Sequence, residues 1–243
     1  MKKALIIIGL LLLAGYLVFS AFYFEDKPKD NICAGFEVVA SGSDTDVFVD
    51  VEDIKKYVKE KGLDPTGKPL KDINTNEIEE TILTNQLISK AVVYMTNNDK
   101  IKAEIHERKP ILRIISNTGE NYYIDNTGER MPLSRRFTAY LPIATGAIKE
   151  DFAKGELYNF TLFLSKDKFW NAQIEQIVVL PNKEVQLIPR VGDQVILLGE
   201  LTDYEKKLDK LMAFYQNGLN KTGWNKYSVI NLKFDKQVVC TKR

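Results

Sequence analysis

The chain has 243 residues, with 34 Lys and Arg against 33 Asp and Glu and a formal net charge of +1. That balance excludes an electrostatic nucleic-acid surface, which needs a clustered excess of basic residues. Two cysteines, Cys33 and Cys240, supply neither a disulfide framework nor a zinc site, and the length suits one large or two small domains.

Taken in order, the first feature is the uncharged run Ala4 to Phe24. At about 1.5 Å per helical residue it reaches roughly 31 Å, so it predicts a single N-terminal transmembrane helix. Lys2 and Lys3 before it, in a cytoplasmic tail of residues 1–3, leave everything after Phe24 outside the cytoplasm by the positive-inside rule. A cleaved signal peptide fits less well, because its apolar core is usually 7–15 residues and ends at a small-x-small site. The lipoprotein variant lacks its cysteine, since Leu13-Ala14-Gly15 is followed by Tyr16. Residues 25–32 form a charged linker.

Residues 33–109 predict a compact module. Cys33, Phe36, Val38 and Val39 suggest a strand. Asp50 is placed to cap a helix that buries Ile54 and Val58 and stops near Gly62. Asn74 with Glu77 forms a capping box for a second helix with Ile78, Ile82 and Leu83 on its apolar side. Val92 to Thr96 and Lys100 to Arg108 alternate as two strands around the turn Asn97-Asn98-Asp99. The resulting βααββ order resembles a POTRA domain, a module that binds other polypeptides.

Residues 110–243 predict a mixed α/β domain with a mainly antiparallel sheet. Ile111 to Ile115 pairs with Asn121 to Ile124, and Asp125-Asn126-Thr127-Gly128 turns the chain toward Glu129 to Met131. A helix is expected around Leu157 to Leu164. Ile174 to Leu180, Val185 to Ile188 and Gln194 to Leu198 read as a meander. Thr202 and Glu205 form a capping box for a long helix ending at Gly218. The last two strands are Tyr227 to Lys233 and Gln237 to Cys240, with Phe234-Asp235-Lys236 between or within them.

Several of these stretches together resemble the bacterial cell-division family FtsQ/DivIB. They are Glu107-Arg108-Lys109-Pro110, Tyr122-Tyr123-Ile124-Asp125-Asn126-Thr127-Gly128, Pro132, Leu141-Pro142-Ile143, Leu187-Ile188-Pro189-Arg190-Val191-Gly192 and Ile230-Asn231-Leu232-Lys233-Phe234. The likeness departs at Gln86, where the family often has proline after Asn85. The resemblance implies a bitopic, single-pass scaffold of the inner membrane, with its domains periplasmic, at the division septum. It would bind FtsB and FtsL and other membrane division proteins. It implies a partner-binding edge at Phe234, Asp235, Lys236, Gln237, Val238, Val239 and Cys240. Phe234 would be an apolar anchor, Lys236 a charged contact and the backbone of Gln237 to Val239 the ladder. The competing reading is that Val238 and Cys240 belong to the core and the edge is covered.

No cofactor, metal or catalytic residue is expected. His106, the only histidine, lies between Glu104 and Arg108 on the polar side of a strand, and no nucleophile elbow, H-E-x-x-H pair or phosphate loop occurs. The alternatives are a membrane-anchored cell-envelope hydrolase, which should show such a constellation, and another POTRA-containing envelope assembly factor, such as a fragment of an outer-membrane transport system. No run of barrel strands follows the module to support the latter.

Overall fold

The computed structural model describes residues 12–20, 31–41 and 47–243. Residues 12–20 are helical. A crossing takes about 20 apolar helical residues. Among the described residues no helix is long and apolar enough to span a membrane. The expectation of a transmembrane helix over Ala4–Phe24 is corrected accordingly, and the fold is α+β with no spanning helix among the described residues. The tail 1–3, the rest of that run and most of the linker lie outside the described residues.

The first module contains β1 (Gly35–Ser41), α1 (Val51–Glu60), α2 (Thr75–Leu83), β2 (Ile88–Met95) and β3 (Lys100–Glu107). Both helices start where the short polar side chains dictate. Asp50 Oδ1 accepts from the Glu52 N–H at 3.0 Å and Asn74 Oδ1 from the Glu77 N–H at 3.3 Å, each satisfying a donor that a helix start leaves unpaired. The sheet order is β1-β3-β2, with β1 parallel and β2 antiparallel to β3. Ile54, Val58, Ile78 and Ile82 bury against Ile101, Ala103 and Ile105 of the central strand.

The rest of the chain builds a nine-stranded sheet. Its strands are β4 (Pro110–Ser116), β5 (Asn121–Asp125), β6 (Arg130–Met131), β7 (Ile143–Gly146), β8 (Ile174–Val179), β9 (Val185–Pro189), β10 (Val195–Gly199), β11 (Tyr227–Asn231) and β12 (Val239–Lys242). The order across the sheet is β12-β11-β10-β9-β8-β7-β4-β5-β6. The β4–β7, β7–β8 and β10–β11 pairs are parallel and the others antiparallel. One face carries the helices: a helical turn Glu150–Phe152, a π-helical turn Ala153–Leu157, α3 (Tyr158–Lys166), α4 (Lys168–Gln173) and α5 (Tyr204–Phe214). α5 continues through the π-helical turn Tyr215–Leu219 and Asn220–Thr222. Leu112, Ile114, Ile177, Leu187, Ile196 and Ile230 point to these helices and are fully buried.

Two boundaries differ from the sequence pattern. Thr202 does not cap α5: Asp203 takes the cap position in a left-handed conformation (φ 48°), and no side-chain bond closes the box. The helix runs past Gly218 and stops at Gly223, where φ is 91°. Gly218 instead lies inside the π-helical turn, where a Cβ would come within 2.6 Å of the Phe214 ring.

The modules share a core. Tyr123 of β5 and Met131 of β6 are buried among residues of the first module, together with the partly buried Phe137, Ala139 and Leu141. The Phe48 ring meets Phe137 edge-on with centroids 5.1 Å apart. Glu107 accepts from the Phe48 and Val49 N–H groups at 3.0 and 2.8 Å, and Ser134 Oγ donates to the Phe48 carbonyl at 2.7 Å.

Candidate docking edge

β12 ends the nine-stranded sheet, paired with β11 on one side and with no strand of the described residues on the other. The register sets Val239 opposite Asn231, Cys240 opposite Ile230 and Thr241 opposite Val229. The Arg243 N–H donates to the Lys226 carbonyl across this pair at 3.2 Å. Backbone direction alternates along a strand, so Val239 and Thr241 also face β11. The N–H and C=O of Cys240 and Lys242 therefore point outward, away from β11, as a template for another chain.

Side chains alternate in the same way. Val239 is 42 % exposed on one face, while Cys240 and Val238 are partly buried on the other, packed against the helix-side core. Burial pushes the Cys240 thiol pKa above its ordinary value, and both cysteines are free thiols. Of the residues expected at the edge, only Val239 and Cys240 lie in the strand. Phe234, Asp235 and Lys236 form the turn leading to it, and Gln237 and Val238 are its extended approach. Phe234 is 46 % exposed.

That turn is held from outside its own sequence. Lys210 of α5 donates from Nζ to the carbonyls of Leu232 (3.2 Å) and Phe234 (2.6 Å). Lys236 takes a left-handed backbone conformation (φ 59°), which reverses the chain into β12. Between this turn and α5 lies an open groove of about 450 Å³, lined by Lys210, Phe214, Asn217, Gly218, Lys236 and Val238 among others. Gly218 leaves the Phe214 ring flat against the helix. Sequence reasoning missed Lys210, Phe214, Thr241 and Lys242. A basic residue on the buried side of α5 was the one available sign of the first.

The charges near the edge are mostly basic. Lys236 and Lys242 are exposed, Arg243 pairs with Asp193 at 3.1 Å and Lys233 with Glu184 at 2.5 Å. Elsewhere His106 is exposed on the first module's strand β3, and among the described residues no group of His, Cys, Asp and Glu could hold a metal ion. Tyr215 Oη is buried without a hydrogen-bond partner, and burial pushes its pKa up to about 12.

The βααββ module followed by a helix-backed mixed sheet places the chain in the class of two-domain POTRA-bearing proteins. Residues 31–106 match the POTRA-like domain model. Residues 109–241, over half of the chain, match the family model described as FtsQ/DivIB, C-terminal related. The chain belongs to the FtsQ/DivIB family, a family of non-enzymatic cell-division scaffolds that work through protein–protein contacts in the division machinery. No curated relative matches it.

Proposed function

We propose that this scaffold acts at the division septum by accepting a strand of an FtsB-type partner, with FtsL alongside, on the outer edge of β12. The module and the β-domain divide at Lys109 and Pro110. The observation that supports this reading is the terminal position of β12, whose outward N–H and C=O groups at Cys240 and Lys242 have no partner strand among the described residues. Strand addition draws its affinity from main-chain hydrogen bonds and its specificity from flanking side chains. An edge of four residues, Val239–Lys242, offers few such bonds. The approach from Phe234 to Val238 and the groove beneath it supply the remainder, with Phe234 as the apolar anchor and Lys236 meeting an acidic residue of the partner.

Lys242→Pro tests the edge directly. Its N–H points away from β11, so proline removes a docking donor and leaves the internal ladder intact. The expected result is a loss of FtsB-type binding of about tenfold in a titration, with the melting temperature unchanged. Unaltered affinity would remove β12 from the interface.

A further inference from the structure

The sheet of the first module ends on β2, with no strand of the described residues on its outer side. β2 has eight residues against the four of β12, and its Val92, Tyr94 and Met95 are exposed. A long edge strand with exposed apolar side chains is a ready template for another strand. By length and composition β2 should accept one more readily than β12.

Its outward backbone groups, however, are already engaged at the centre. The Thr96 N–H donates to the Lys100 carbonyl at 2.8 Å, which sets Val92, Tyr94 and Thr96 toward β3 and turns Ala91, Val93 and Met95 outward. The Val93 N–H, the middle one of those three, donates to Glu79 Oε2 at 3.0 Å. Ahead of them the strand is bulged. Its register shifts between Ile88 and Lys90, and Ser89 Oγ shares its proton between the carbonyls of His106 and Glu107 at 3.0 and 3.2 Å. A bulge twists an edge away from an incoming strand.

Glu79 is held in place by α2, which Ile78 and Ile82 anchor in the core of the module. Of the three glutamates on that helix, Glu77 and Glu80 are exposed and Glu79 is half-buried. A backbone N–H bonds a carboxylate more strongly than a neutral carbonyl. A strand pairing with β2 would have to exchange the first bond for the second at its central position. With Val93 held, the regular edge is reduced to Ala91 and Met95, about 14 Å apart at about 3.4 Å per residue, with no free donor between them.

We infer that Glu79 closes the β2 edge to strand addition, and that the strand it keeps out is β2 of a second copy of this chain. Antiparallel pairing centred on Val93 is self-complementary. Val93 would meet its own counterpart through both N–H and C=O groups, and Val92 would stand opposite Tyr94 of the second copy on the exposed side of the sheet. This closure is independent of what docks on β12.

The test compares the full chain with Glu79→Ala, with Glu79→Gln, and with Glu79→Ala combined with Val93→Pro. The glutamine side-chain oxygen can accept the same bond, whereas alanine cannot. Proline at position 93 removes only an outward donor, because the Val93 N–H is bonded to Glu79 and not to β3. Amide exchange at Val93 is expected to quicken about tenfold or more in the alanine variant and to stay near the parent rate in the glutamine variant. Sedimentation over a concentration series is expected to show pairing of the alanine variant beyond that of the parent, no such gain with glutamine, and its loss in the double variant. Unchanged exchange at Val93 in the alanine variant overturns the inference, as does an alanine variant that associates no more than the parent. Association that survives Val93→Pro, whether through unfolding or another surface, overturns it too.

Discussion

Asp125 lies at the junction of the two modules with 4 % of its side chain exposed. Arg108 Nε donates to its Oδ2 at 2.7 Å, and the same guanidinium donates to the carbonyls of Gln86 and Glu129 at 3.1 Å each, joining the first module to the β5–β6 turn. Burial would raise the carboxyl pKa. Hydrogen bonds from the Thr127 and Arg108 side chains and from the Glu129 and Thr127 N–H groups outweigh it and hold the group below the usual carboxylate range. A carboxylate with a depressed folded pKa contributes stability above its unfolded value of about 4, and that contribution is lost as pH falls through the folded value. Asp125→Asn is therefore expected to cost about 2 kcal/mol at pH 7, from hydrogen bonds to a charged group. That corresponds to a melting temperature roughly 4–8 °C lower, and the difference from the parent chain should shrink as the pH is taken below about 4. Equal melting at pH 7 would show that the junction does not depend on this charge. Asp125-Asn126-Thr127-Gly128 is legible as a turn because its bonds are local. The pairing with Arg108 is not, because it depends on how the two modules meet.

At the scale of elements, local chemistry again marks what could be read. The caps at Asp50 and Asn74 and the strand β3 follow from side chains within four residues of each other. The Thr202 cap fails because Asp203 adopts the left-handed turn, with its Oδ1 paired to Lys206 at 2.6 Å. β12 begins at Val239 rather than Gln237 because Lys210, far away in sequence, fixes the carbonyls of Leu232 and Phe234 and displaces the turn. A second tertiary constraint sits in β7. Gly146 has φ 106°, and a Cβ there would lie 2.2 Å from the Val179 carbonyl oxygen, which accepts from the Ala147 N–H at 2.9 Å. Any side chain would push apart the parallel β7–β8 pair at the centre of the sheet. Gly146→Ala is expected to cost about 3 kcal/mol or more, combining the strained backbone with a close approach that cannot relax. Urea unfolding measures it, and a change under about 0.5 kcal/mol would mean that the strands can part without penalty.

Across the whole molecule, the two modules are distinct in sequence but not in packing. Tyr123 and Met131 complete the core of the first module from the second, and Phe48 is bonded on both sides of the seam. Calorimetry is expected to give one transition for both modules, with calorimetric and van't Hoff enthalpies equal; two resolved transitions would show that the seam is not cooperative. Such a body keeps the β12 edge in a fixed relation to the first module, which suits a scaffold. The family likeness was legible from ordered motifs, whereas the strand order of the large sheet was not, since its parallel β4–β7 and β10–β11 pairs join segments that only tertiary packing brings together. The central claim concerns the outer edge of β12, and amide hydrogen exchange reads it residue by residue. In the free chain the N–H groups of Cys240 and Lys242 should exchange quickly and those of Val239 and Thr241 slowly. At saturating FtsB-type partner, Cys240 and Lys242 should become protected while Val239 and Thr241 change little. Unchanged exchange at Cys240 and Lys242 with the partner bound would contradict docking by strand addition at β12.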